Sequence, residues 1–179
     1  MSKSAHKILT TAEMLFNQYS FTGVGVDLIR DQSGCSKTTM YTYFKNKQQL
    51  INEVLKQRDQ NFRESLTEYV GTSQDIEAIK KIFDWHINWF QTDDFKGCLF
   101  VRAVAESNTE DLDIKNISIE HKIWLRGLIH HYADSISSNP AIGELIYLLI
   151  EGLMSRFLVE GFNPDIASQQ RAFIIRSLE

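Results

Sequence analysis

Residues Gly34 to Lys47 read GCSKTTMYTYFKNK. Ser36 suits the cap of a helix, because its hydroxyl oxygen accepts from the orphan N–H groups of the next turn. Gly34, two residues before it, permits the tight reversal that separates two short helices. Within the following turn and a half Met40 and Phe44 lie four apart and share a face, while Lys37, Thr38, Thr39, Tyr41, Thr42 and Tyr43 fall elsewhere. Thr and Tyr hydroxyls reach phosphates and base edges and Lys neutralises phosphate, so the pattern suits a helix presented to a DNA groove. Taken alone, these residues fit a solvated connector helix equally well.

The flanks favour the first reading. Upstream, Ile8, Ala12, Leu15, Phe16 and Tyr19 recur at three- and four-residue steps, which predicts an amphipathic helix from about Ser4 to Tyr19. A loop through Ser20, Thr22, Gly23 and Gly25 leads to a second helix, about Val26 to Gln32, with Val26, Leu28 and Ile29 expected inward. Downstream, Asn46 and Gln49 resemble a capping box that opens a fourth helix at Lys47. Leu50, Val54, Leu55, Phe62, Leu66, Tyr69 and Val70 carry that helix to Gly71.

Composition sets the class. The 179 residues are 43% hydrophobic, with only two Pro, and no alternating β-branched run persists, which predicts an all-α protein. Two cysteines, Cys35 and Cys98, are too few for a disulfide framework or a zinc site, so a reduced, cytoplasmic setting is expected. The opening MSKSAHKILTTAEMLF lacks the apolar core and cleavage site of a signal peptide, and no apolar run is long enough to span a membrane. The net charge of -4 hides an asymmetry. Residues 1–58 hold eight Lys or Arg against four Asp or Glu, and residues 59–179 hold eleven against nineteen. The positive charge gathers beside the opening stretch, where a polyanion would dock.

The run from Ile8 to Leu55 resembles the N-terminal helix-turn-helix domain of the TetR family of transcriptional regulators. GCSKTTMYTYFKNKQQL keeps the family's turn glycine, capping serine, lysine, aromatic pair and following lysine in order. The resemblance implies that Ser36 and Lys37 contact phosphate or bases and that Thr38 and Thr39 face the major groove. Tyr41, Thr42 and Tyr43 would then reach phosphates or bases, and Lys47 would hold a phosphate at the positive end of the fourth helix. Three positions depart from the family pattern. Val24 and Gly25 stand where a Thr-Ser or Thr-Thr pair is usual, Arg30 replaces a small residue, and Ser20 replaces a common glycine.

The resemblance fades beyond Gly71. A helix over about Gln74 to Gln91 is apolar on two sides, GCLFVRAVAES (Gly97 to Ser107) reads as a short helix resembling a segment in one branch of the family, and a longer helix is expected from Glu110 to Ile136. Asn139-Pro140 and Asn163-Pro164 each offer a capping Asn before a Pro, predicting final helices over about 140–160 and 164–178. Gly143 and Gly152 could let a partner helix approach. The resemblance implies a homodimer through these two helices, against a monomer with a thick core. The division expected is a DNA-binding domain over 1–46 and a helical effector-binding and dimerisation domain over 47–179, joined by the helix at 47–70.

Trp85, Trp89, Phe90, Phe95, Phe100 and Trp124 either line a pocket for a hydrophobic or aromatic effector or are plain core. Cys98 is a candidate redox sensor or a small buried hydrophobe. His130 and His131 are adjacent and point apart, and His86 and His121 have no acidic or thiol partner at ligand spacing, so no metal is expected. No nucleophile elbow, P-loop or zinc-protease motif occurs, and neither an enzyme nor a cofactor is expected. The function expected is a ligand-responsive repressor of a double-stranded DNA operator. A small-molecule binding protein without DNA recognition and a thiol-based regulator are the alternatives.

Overall fold

The computed structural model describes residues 2–108 and 111–178. Nine helices and no strand form among them: α1 Lys3–Tyr19, α2 Val26–Ser33, α3 Lys37–Tyr43, α4 Lys47–Val70, α5 Asp75–Phe90, α6 Leu99–Glu106, α7 Leu112–Asp134, α8 Ala141–Glu160 and α9 Pro164–Leu178. The all-α expectation holds. None of these helices is long and apolar enough to cross a membrane. The chain divides into two compact units, Met1–Asn61 with Cys98–His121, and Phe62–Gly97 with Lys122–Glu179. Helices α4 and α7 each contribute to both.

In the first unit, Ile8, Ala12 and Phe16 of α1 form one buried stripe with Ile29 of α2, Met40 of α3 and Val54 and Leu55 of α4. Two residues depart from the expected core. Tyr19 is 55% exposed, being the last residue of α1 before the chain turns at Ser20. Leu28 is 37% exposed, because an eight-residue helix buries one narrow face and Ile29 occupies it. Helix α6 closes the open end of α1: Arg102 Nη1 donates to the carbonyls of Phe16 (3.3 Å) and Asn17 (2.8 Å). Glu106 Oε2 accepts from the Thr22 backbone N–H (2.9 Å) and hydroxyl (3.1 Å). The bond to Asn17 satisfies a carbonyl that the end of α1 leaves orphaned.

The second unit is built on α5, which packs against α8 and α9 while those two pack on each other. Ile79, Ile82 and Phe83 of α5 and Ile146 and Ile150 of α8 are fully buried. Arg171 of α9 grips Asp84 of α5 through two charge-assisted bonds of 2.6 and 2.9 Å. The expected start of α7 at Glu110 lies outside the described residues, and α7 ends at Asp134. Helix α8 begins one residue later than expected, with Pro140 at the cap position and Asn139 Oδ1 accepting from Ala141 N at 3.1 Å. Asn163 caps α9 as expected, accepting from Asp165 N and Ile166 N. Of the two glycines expected to admit a partner helix, Gly143 instead faces this chain's own His130, whereas Gly152 has open space around it.

Candidate nucleic-acid interface

Gly34 adopts φ +63° and ψ 18°, the left-handed conformation that reverses the chain between α2 and α3. Ser36 then sits in extended conformation and its Oγ accepts from Thr39 N at 3.0 Å, the expected cap. The hydroxyls of Ser36 and Thr39 also bond each other at 2.8 Å, and the Thr42 hydroxyl donates to the Thr38 carbonyl at 2.9 Å. Three of the helix's hydroxyls are thus engaged locally. Met40 and Phe44 anchor the segment, 2% and 6% exposed, each burial contributing roughly 1.5–3 kcal/mol. Lys37, Thr38, Tyr41, Thr42 and Tyr43 are exposed, and Thr39 is half-buried.

The flanking turns hold this face in place. Asp27 of α2 meets both Arg30 Nη1 (2.9 Å) and Lys37 Nζ (3.5 Å), which ties α2 to α3. Arg30 also donates to Asp31, and that bond together with the carboxylate charge raises the guanidinium above its ordinary pKa. Gln49 N donates to Asn46 Oδ1 at 2.7 Å, and Gln49 Oε1 accepts from Lys45 N at 2.9 Å. This is the expected capping box with its return bond placed one residue earlier. Lys47 opens α4 half-buried; burial lowers its pKa from the ordinary lysine value, and the Glu106 charge opposes that shift.

Trp85, Trp89, Phe90 and Trp124 of the expected effector residues fall in the second unit. Phe62, which sequence reasoning placed only on the α4 stripe, sits at the centre of a ring cluster. Its centroid lies 4.8 Å from Trp85 and 6.3 Å from both Trp89 and Trp124, in edge-to-face geometry. Phe90 and Phe95 continue the cluster at 5.1 Å. Trp85 Nε1 donates to Ser65 Oγ, and the Arg63 guanidinium lies over Trp124 at 5.0 Å. Phe100 belongs to the first unit, stacked on His121 at 3.8 Å, with His121 Nδ1 2.8 Å from Asp59 Oδ1. That carboxylate is 62 positions from the histidine, so local spacing gave no sign of it.

Residues 8–54 match the family described as bacterial regulatory proteins, tetR family. The N-terminal three-helix module and the start of α4 thus match the DNA-binding domain of that family. No curated protein matches it. Solved structures of TetR-family proteins share its fold over nearly the whole chain. SCO4454 from Streptomyces coelicolor is 22% identical, with a TM-score of 0.85, covering 99% of this chain and 95% of that one. Reduced NemR from E. coli is 20% identical, with a TM-score of 0.82 and coverages of 97% and 95%. CifR, solved as a cysteine mutant with 26-bp double-strand operator DNA, is 13% identical, with a TM-score of 0.78 and coverages of 96% and 94%.

The departures from the TetR-family pattern now have local explanations. Val24 is fully buried in the first core, and Gly25 caps α2 without a side-chain bond. Arg30 is occupied by Asp27 and Asp31. Ser20 takes a φ of +82°, the backbone region that a glycine enters most easily, and its hydroxyl accepts from Gly23 N. Both cysteines are free and half-buried against the first core, with Cys98 at the cap position of α6. No group of three or more His, Cys, Asp or Glu that could hold a metal occurs among the described residues.

Proposed function

We propose that this protein is a TetR-family regulator that binds a near-palindromic operator as a homodimer, represses transcription, and is released by a small-molecule effector. One observation carries the reading. Helix α3 buries only Met40 and turns its hydroxyl-rich, basic remainder to solvent on a module held rigid at both ends. Lys37, Tyr41, Tyr43 and Lys47 serve as phosphate contacts, Thr38 and Thr42 face base edges, and Ser36 with Thr39 forms the cap that aims the helix. The hydroxyl of Thr38 is not engaged in the local bonds that occupy those of Thr39 and Thr42, which makes it the first candidate for base readout.

The dimer joins α8 and α9 of two copies. Leu145, Leu148 and Val159 of α8 are 41%, 56% and 82% exposed, and with Gly152 they fall at three-, four- and seven-residue steps along one stripe. Phe173 of α9 is likewise exposed. The effector is hydrophobic or aromatic and enters among Trp85, Trp89, Phe90 and Trp124, with Phe62 added to the set and Phe100 removed from it. The reader is residues 1–46 and the responding domain 47–179, and α4, continuous from Lys47 to Val70, carries the response. An effector acts only through its different affinity for two spacings of the paired readers. Fluorescence anisotropy on labelled duplex DNA tests the reading. Affinity should fall steeply as salt rises, with a log–log slope set by the number of phosphates neutralised, and salt-independent or undetectable binding would overturn it.

A further inference from the structure

A cavity lies wholly within the first unit. It is an open cleft with a volume of about 230 Å3. Its apolar wall comes from Phe21, Ile51 and Ile114, all buried core residues. Its polar wall carries both signs of charge: Lys47 and Gln48 at the start of α4, Glu106 at the end of α6, and Asp111 just before α7.

The hydrogen-bonding capacity of that polar wall is only partly used. Glu106 places one oxygen, Oε2, on Thr22, and Asp111 places one oxygen, Oδ2, on Asn108 N at 3.1 Å. The second oxygen of each carboxylate receives no bond among the described residues. Among the described residues Lys47 makes no ion pair or hydrogen bond, although burial disfavours its charge. Gln48 Nε2 is buried without a hydrogen-bond partner, an arrangement that costs about 1–3 kcal/mol per group. The site thus offers donors on Lys47 and Gln48, an oxygen each on Glu106 and Asp111 that receives no bond among the described residues, and apolar side chains beside them. A lone carboxylate would meet the two anions, and a lone amine would meet the lysine.

We propose that this cavity binds a free α-amino acid with an apolar side chain, its carboxylate on Lys47 and Gln48, its ammonium on Glu106 and Asp111, and its side chain on Phe21, Ile51 and Ile114. The volume of the cleft suits a molecule of about ten heavy atoms. Occupancy neutralises Lys47 and so competes with DNA phosphate, and by reciprocity DNA weakens amino-acid binding by the same factor. That regulatory consequence rests on the phosphate role proposed for Lys47; the binding itself does not.

Calorimetric titration of the full chain without DNA, using L-valine, L-leucine and L-phenylalanine as probes, tests the site. At least one should bind with a Kd below about 1 mM. For leucine the two half-ligands, 4-methylpentanoate and 3-methylbutylamine, should each bind about tenfold more weakly or not at all, as should leucine to Glu106→Gln and Lys47→Met. Should either variant lose helicity, amide shifts of the wild type decide, with changes expected at Thr22, Gln48 and Ser107. No binding by any of the three amino acids, half-ligands as tight as leucine, folded variants with unchanged affinity, or shifts confined to other regions would each overturn the proposal. Adding duplex DNA to the titration then separates the two claims. Binding unaffected by DNA leaves the site standing and removes only Lys47 from the phosphate contacts.

Discussion

Lys47 and Thr38 stand for two different kinds of contact, and single substitutions distinguish them. Lys47→Ala should weaken binding to all duplex sequences and reduce the salt slope by about two for a dimer, one per copy, whereas Thr38→Ala should leave the slope alone and relax base preference. An unchanged slope in the first, or an unchanged preference in the second, would remove the residue from its role. Gly34→Ala tests the turn itself. A Cβ there meets only Lys7 Nζ at an ordinary 3.5 Å, so the cost is that of the backbone at φ +63°, roughly 1–2 kcal/mol, read by denaturant unfolding. At this scale the sequence was legible where the chemistry is local. The Ser36 cap, the Asn46–Gln49 box and the Gly34 reversal each depend on residues within four positions. The engagement of Thr39 by Ser36 was equally local, yet hydroxyl content alone does not say which hydroxyls are already satisfied.

Helices were legible by periodicity, and their partners were not. The stripes of α1 and α4 follow from apolar spacing, but a stripe does not name what covers it. Phe62 carried the same spacing as Leu55 and Leu66, yet it centres the ring cluster because α5 brings Trp85 and Trp89 to it. Gly143 shows the same limit. It was legible as a place of close approach, but the approaching group is His130 of the same chain. A Cβ at Gly143 would lie 2.7 Å from Nδ1 and 2.9 Å from two ring carbons of His130, and an imidazole held against a helix cannot swing clear as a lysine tip can. Gly143→Ala should therefore destabilise the protein by about 1–3 kcal/mol in chemical unfolding. His130→Ala in the same background should recover much of that loss. Gly152→Ala, with open space around it, should leave the stability of the isolated chain nearly unchanged.

The described residues present an exposed hydroxyl-rich helix, α3, and an exposed apolar stripe on α8, and the proposed operator recognition needs both. Leu148→Glu, placing a charge in the stripe of α8, should convert a particle of twice 20.7 kDa into one of 20.7 kDa in light scattering without loss of helicity. A wild-type protein already at the smaller mass would remove the dimer. What the sequence could not convey at this scale is assembly and ligand, because both depend on surfaces formed by residues far apart in the chain. Selection of bound duplexes from a random-sequence pool by the wild-type protein tests operator recognition most directly. Enrichment of an inverted repeat whose half-sites lie one helical turn apart or a multiple of it, about 34–36 Å per turn, is the predicted result. A pool that remains random after repeated rounds, with binding no tighter than to the starting DNA, would contradict it.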